Sequence, residues 1–173
     1  FVSQNEQDYF PEQSCSAAAF MSLLKFAKYQ PLPSYKDLCD ELNIAVPPRE
    51  KGYFTDSSIN IGILPEDIFR FCFKHDLKFR MYFCDDEWKE ALERAPIIVL
   101  MVGDEEEYGF YGHWVVLVKR SRDFFTYLDP WYKPQENFVK HLHYLYLRIY
   151  ILFFLILLKL KPNPDSPRLP QCF

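Results

Sequence analysis

Apolar positions recur at helical spacing in the first part of the chain. Phe20, Leu23, Leu24 and Ala27 fall on one stripe, which predicts a helix that opens at Ser14-Cys15, with Ser14 as N-cap, and closes before Pro31-Leu32-Pro33. Ser34 with Asp37 makes a capping-box-like start to a second helix, whose apolar face is Tyr35, Leu38, Cys39 and Leu42. Residues 43–63 hold Pro47, Pro48, Gly52 and Gly62 and read as a long connection able to overhang a cleft. Pro65-Glu66-Asp67 opens a third helix with Leu64, Ile68, Phe71 and Cys72 inward and Lys74 and His75 in its last turn.

The pattern then changes period. Phe79, Met81 and Phe83 alternate with Arg80, Tyr82 and Cys84, which predicts a half-buried strand. Asp85 to Ala95 follows as a short helix with Trp88, Ala91, Leu92 and Ala95 on one side, and Pro96 to Val102 is an apolar run of strand length, covered on both faces. Gly103 to Gly112 carries Asp104-Glu105-Glu106-Glu107 and reads as a solvated acidic turn; no His or Cys in it completes a metal-ligand set. From His113 to Lys119 the chain is a strand, with His113, Val115, Leu117 and Lys119 on one face and Trp114, Val116 and Val118 on the other. A polar turn leads into the partner strand Phe124 to Leu128, which ends at Asp129-Pro130, where proline releases the aspartate from the ladder. Phe138, Leu142 and Leu145 predict a further short helix. Ile149 to Leu158 predicts a final buried strand, since ten residues between Arg148 and Lys159 are about half of a membrane span. Membrane contact is therefore not expected for residues 144–160.

These elements amount to an α+β domain over residues 1–160, followed by a proline-rich tail, 161–173, expected to be disordered. With 173 residues, 49% of them hydrophobic and 18% aromatic, the chain can bury a sizeable core as one domain. A net charge of -4 supplies no basic footprint, so nucleic acid is not an expected partner. The five cysteines contain no C-x-x-C pair and leave one over from intrachain pairing; Cys39 and Cys72 sit on apolar helical stripes. Reduced thiols and a cytoplasmic setting are expected. The chain opens on Phe1 with no signal-peptide pattern, as a processed form or fragment would.

Cys15 is the first candidate for chemistry. On position alone it reads as a small buried hydrophobe. In the first turn of a helix, however, unpaired amide N–H groups and the positive end of the dipole favour a thiolate. A thiol hydrolase also needs a general base, a group that orients it, and oxyanion donors. Two consecutive antiparallel strands can bring His113 near Asp129, which can accept from one ring nitrogen and leave the other for Cys15. Among the polar residues ahead of the helix, Gln4, Asn5, Gln7 and Gln13 matter only if one faces the nucleophile.

The order glutamine, cysteine opening an alanine-rich helix, Gly112-His113-Trp114-Val115-Val116-Leu117, then Tyr127-Leu128-Asp129-Pro130 resembles the papain-like cysteine peptidases of the double-glycine leader peptidase group. The chain is also similar to the eukaryotic branch labelled guanylyl cyclase-like, through Asn137-Phe138 and the apolar Ile151 to Leu155. The resemblance spans about residues 4–158. It implies a papain-like fold, with an N-terminal helical lobe carrying Cys15 against an antiparallel sheet carrying His113 and Asp129. It further implies Cys15 as nucleophile, His113 as base and then acid, and Asp129 as the orienting residue. Two positions depart from the family pattern: Ser16 stands where glycine usually follows the cysteine, and Tyr9 stands where the oxyanion glutamine usually lies. Gln7 is the nearest upstream match and is expected to serve the oxyanion with the Cys15 N–H.

The expected function is therefore a cysteine peptidase or related thiol hydrolase acting on a peptide or isopeptide bond of a peptide or protein substrate, without metal or cofactor. An acyltransferase with the same triad is one alternative. A catalytically silent papain-like module that binds a peptide or protein partner is the other. Nucleotide cyclisation is not expected, because the chain has no glycine-rich phosphate loop.

Overall fold

Helix α1 (Cys15–Phe26) departs from the single buried stripe its spacing predicts, because every residue from Ser16 to Leu24 is buried. The run Ala17-Ala18-Ala19 explains this: three side chains ending at Cβ let neighbouring elements close in on faces that longer side chains would hold open. A computed structural model describes residues 1–11, 13–44, 63, 65–82, 85–105, 109–122, 124–132, 139–143 and 154–157.

Helix α2 (Tyr35–Glu41) begins as expected, with Ser34 Oγ accepting from the Asp37 N–H at 3.1 Å. Helix α3 (Pro65–Lys74) buries Ile68, Phe71 and Cys72, and the Phe71 ring meets Phe20 of α1 edge-on at 5.3 Å. Most of the expected 43–63 connection lies outside the described residues, as do Leu64, Phe83 and Cys84. Ile63 at its end is fully buried, and its carbonyl accepts from the Trp114 indole at 3.4 Å.

Strands β1 (Phe79–Tyr82), β2 (Ile97–Glu105), β3 (Gly109–Arg120), β4 (Phe124–Leu128), β5 (Val139–His143) and β6 (Phe154–Leu157) form one sheet in the order β1-β6-β2-β3-β4-β5, every pairing antiparallel. Helix α4 (Asp85–Leu92) lies between β1 and β2 in the chain. The predicted alternation holds through the middle of the sheet. Ile98, Leu100, Trp114 and Val116 join the core built on α1, α2 and α3. Ile97, Val99, Val115, Leu117 and Phe125 instead join Trp88 and Leu92 of α4 in a second, smaller core. The sheet is thus a wall with helices on both sides, and the stretch Ile97 to Leu100 of β2 is covered on both faces as its apolar run requires.

Two expectations need correction. The acidic segment Gly103 to Gly112 is mostly ladder: β2 runs on to Glu105 and β3 starts at Gly109, with Glu105 opposite Gly109. Pairing continues there because the two apolar strands are already in register, from Ile97↔Leu117 outward. The helix expected around Phe138 to Leu145 is also overridden, since Val139–His143 pairs with β4 along its length, from Phe124↔His143 to Leu128↔Val139. A free strand edge gives backbone partners to alternate residues along the whole stretch, whereas one weak apolar stripe cannot support an isolated short helix. At the other end, Phe154–Leu157 inserts between β1 and β2, so the described part of Ile149–Leu158 is a strand. No helix among the described residues is long and apolar enough to cross a membrane. The tail 161–173 lies outside the described residues.

Candidate active site

The first turn of α1 meets the end of the β3–β4 pair. Ser14 occupies the N-cap position, yet its side chain makes no capping hydrogen bond. Its hydroxyl and carbonyl both accept from Tyr35 Oη, at 2.8 and 3.1 Å. Burial pushes the Tyr35 phenol well up, partly offset by the Ser14 bond, so the group stays a donor. Helix α1 therefore begins at Cys15 with its first amide N–H groups untouched by the cap residue's side chain. Cys15 is half-buried, in contrast to the fully buried thiols of Cys39 and Cys72. Burial raises both of those to about 12, Cys39 with help from Asp40 and against Lys36.

His113 lies on β3 opposite Met101, and Asp129 immediately follows β4, where Leu128 pairs with Val116. Both residues therefore stand at the same end of the β3–β4 pair. His113 Nε2 donates to Asp129 Oδ1 at 2.7 Å, with side-chain exposures of 25% and 13%. The nitrogen left over is Nδ1. Burial is the strongest single influence on His113 and pushes its pKa down. The hydrogen bond to Asp129, the hydrogen bond to Cys15 and the charges of both more than reverse it, raising the imidazole to about 10. His113 thus has the Asp129 carboxylate on Nε2, and Cys15 acts with Asp129 to raise its pKa.

A second imidazole–carboxylate pair provides a contrast. His75 Nε2 meets Glu41 Oε2 at 2.6 Å, but its Nδ1 faces the Tyr29 hydroxyl at 3.5 Å, so this pair braces α3 against α2 and offers no nucleophile.

Asp129 is fixed from the other side as well. Its Oδ1 accepts from the Trp131 N–H at 3.0 Å and its carbonyl from the Tyr132 N–H at 3.2 Å, closing a turn around Pro130. The N-terminal segment lies across that turn. The Gln4 N–H donates to the Pro130 carbonyl at 2.9 Å, Ser3 Oγ to the same carbonyl at 3.2 Å, and Asn5 Nδ2 to the Trp131 carbonyl.

Of the glutamines, Gln7 turns its amide back on the Ser3 carbonyl at 3.1 Å, and none of its hydrogen bonds among the described residues reaches Cys15, His113 or Asp129. Gln4 is the one that bridges the two halves of the site. Its main chain holds Pro130, and its Nε2 donates to the Pro11 carbonyl at 2.7 Å, in the loop leading to Cys15. Gln4 is buried, and its Oε1 has no partner among the described residues. Ser16, beside Cys15, is likewise buried with an unpartnered hydroxyl.

The contacts of Ser3 had no signature in the sequence, because they span 127 positions. Among the described residues, no three His, Cys, Asp or Glu side chains gather as metal ligands would.

No family model matches the chain, and no curated protein matches it in sequence. Among solved structures, the chain is similar to the peptidase domain of Streptococcus ComA, a bifunctional ABC transporter involved in a quorum-sensing pathway. The two are 17% identical, with 84% of this chain and 90% of that one covered and a TM-score of 0.54. At that identity the likeness concerns the fold: an α+β arrangement of helices and antiparallel sheet, consistent with a papain-like fold.

Proposed function

We propose that the chain is a cysteine peptidase or closely related thiol hydrolase acting on a peptide or isopeptide bond. The observation that carries this reading is His113, bonded through Nε2 to Asp129 at 2.7 Å and raised in pKa by both Asp129 and Cys15. The peptidase-domain neighbour supports it at the level of fold.

In this mechanism His113 holds the proton that leaves the Cys15 thiol, and the sulfur attacks the carbonyl carbon of the substrate. The carbonyl oxygen becomes an oxyanion, met by the Cys15 N–H and by a glutamine amide. Each of Gln4 and Gln7 spends one Nε2 hydrogen, on the Pro11 and Ser3 carbonyls; Gln4 suits the second role better because it is the more buried and its main chain holds the turn after Asp129. His113 then protonates the leaving amine as the C–N bond breaks, leaving a thioester on Cys15. Water attacks the thioester, giving a proton to His113, and the C–S bond breaks to release the acid and restore the thiol. Asp129 keeps the imidazole in one tautomer and offsets its charge throughout.

The test is alkylation of the intact protein with one equivalent of iodoacetamide at pH 7.5, followed by peptide mapping. Cys15 should be modified well ahead of Cys39 and Cys72, and His113→Ala should slow that reaction at least tenfold. Equal modification of several cysteines, or indifference to His113→Ala, overturns the reading. One observation favours a second reading, a silent module that binds a peptide in the same cleft: Ser16, whose buried hydroxyl stands where the resembling family carries glycine. Fast alkylation of Cys15 without turnover of any peptide in a diverse library, restored by Ser16→Gly, would favour that module.

A further inference from the structure

We propose that Ser3, the main chain of Gln4, and Asn5 form a clamp that positions Asp129, and through it sets the proton affinity of His113. The inference rests on the thiol hydrolase reading for its catalytic meaning, but its physical content is independent of turnover.

The clamp acts through two consecutive peptide units. Ser3 Oγ and the Gln4 N–H both donate to the Pro130 carbonyl, at 3.2 and 2.9 Å, and Asn5 Nδ2 donates to the next carbonyl, that of Trp131. Trp131 in turn donates its own N–H to Asp129 Oδ1 at 3.0 Å, the same oxygen that receives His113 Nε2 at 2.7 Å. That N–H shares its peptide plane with the Pro130 carbonyl, so the group that directs this oxygen is held at its far end by Ser3 and Gln4, while Asn5 holds the following peptide unit. Ser3 and Pro130 are buried, so the bonds to the Pro130 carbonyl compete little with water, whereas the Asn5 bond lies at the surface. No local preference explains the arrangement, because donor and acceptor are separated by 126 and 127 positions.

Asp129 alone could adopt the same turn through its bonds to Trp131 and Tyr132. An Asx-type turn is nonetheless a weak local device, and a carboxylate rotating by a few tens of degrees would lose the short contact to Nε2. Holding both carbonyls of the turn removes that freedom. Ser3 and Asn5 are positioning residues: they touch neither the sulfur nor the imidazole, and act on the imidazole through the carboxylate. The same residues lie next to Gln4, whose side chain ties the Pro11 loop ahead of Cys15 to the turn. One short segment therefore sets both flanks of the His113 imidazole.

The experiment is a pH titration of the His113 imidazole by NMR on the full chain labelled at histidine, assigned by comparison with His113→Ala. In the wild type the ring should titrate near 10. Asn5→Ala and Ser3→Ala should each lower that value by about 0.5 to 1 pH unit, and the double variant by more, while Ser3→Thr, which keeps the hydroxyl, should restore it. The thermal unfolding midpoint of each variant is recorded alongside. A purely structural role would lower that midpoint and leave the titration where it was. The proposal is overturned if the folded double variant titrates within about 0.2 units of wild type. Should Asn5→Ala fail to fold, Asn5→Ser and Ser3→Ala decide the matter by the same titration. If wild-type Cys15 proves no more reactive than Cys39 and Cys72, the hydrolase reading falls while the titration still decides the clamp.

Discussion

His113 is held by opposing influences of unusual size for one side chain. Burial favours the neutral ring, yet Asp129 and Cys15 raise its pKa from 6.5 to about 10. Because the folded value lies above the unfolded one, this residue contributes stability that is fully present below about pH 6.5 and is lost as the pH rises through about 10. The unfolding midpoint should therefore decline between those limits, and His113→Ala should flatten the decline; thermal scans at half-unit pH steps measure both. Asp129→Ala should bring the imidazole down by more than ~1 unit, since burial is then opposed by Cys15 alone. At this scale the sequence was legible wherever chemistry coincided with a local signal. Cys15 stood at a helix start and Asp129 before a proline. The different surroundings of Gln4 and Gln7 were not legible, because what separates them is a contact of Gln4 with Pro130 on the far side of the chain.

The elements around the site divide according to whether local preference or pairing decides them. Ser34 is a functional N-cap and Ser14 is not, although both are serines at predicted helix starts. The difference is Tyr35, which takes the Ser14 hydroxyl and carbonyl as acceptors. Ser34→Ala should therefore cost about 1 kcal/mol as an ordinary cap loss. Ser14→Ala and Tyr35→Phe should instead be non-additive, with a coupling of about 1 kcal/mol in a double-mutant cycle read by urea unfolding. If Ser14 caps α1, its effect will be independent of Tyr35. Strand β5 makes the same point in reverse. The spacing of Phe138, Leu142 and Leu145 was a true helical pattern, but the open edge of β4 offered residues 139–143 a ladder of backbone partners. Periodicity registers side chains and carries no record of a vacant edge elsewhere in the fold.

For the molecule as a whole, the arrangement of cores decides which damage reaches the site. The α1–α3 core and the α4 core lie on opposite faces of one sheet, and only the first contains the helix that carries Cys15. The alternation of β3 and the double-sided burial of β2 made this layering readable in advance; the six-strand order was not readable, since β6 reaches its place from the end of the described chain. The layering has a measurable consequence. Phe20 packs edge-on to Phe71 beneath α1, whereas Trp88 packs against Phe125 at 5.1 Å in the other core. Truncating either ring should cost about 3–5 kcal/mol of stability, so urea unfolding alone will not tell them apart. Reactivity of the folded protein should. Phe20→Ala opens space within the helix that carries Cys15, and on the proposed reading should slow Cys15 alkylation severalfold at a temperature where the variant remains folded. Trp88→Ala empties a space screened from α1 by two strands of paired backbone, so the alkylation rate should stay within about twofold of wild type, because sites far apart with no shared partners act nearly independently. Equal slowing in both variants would mean that the sheet transmits the disturbance from one face to the other, and that the crevice is set by the whole molecule and not by its helical side.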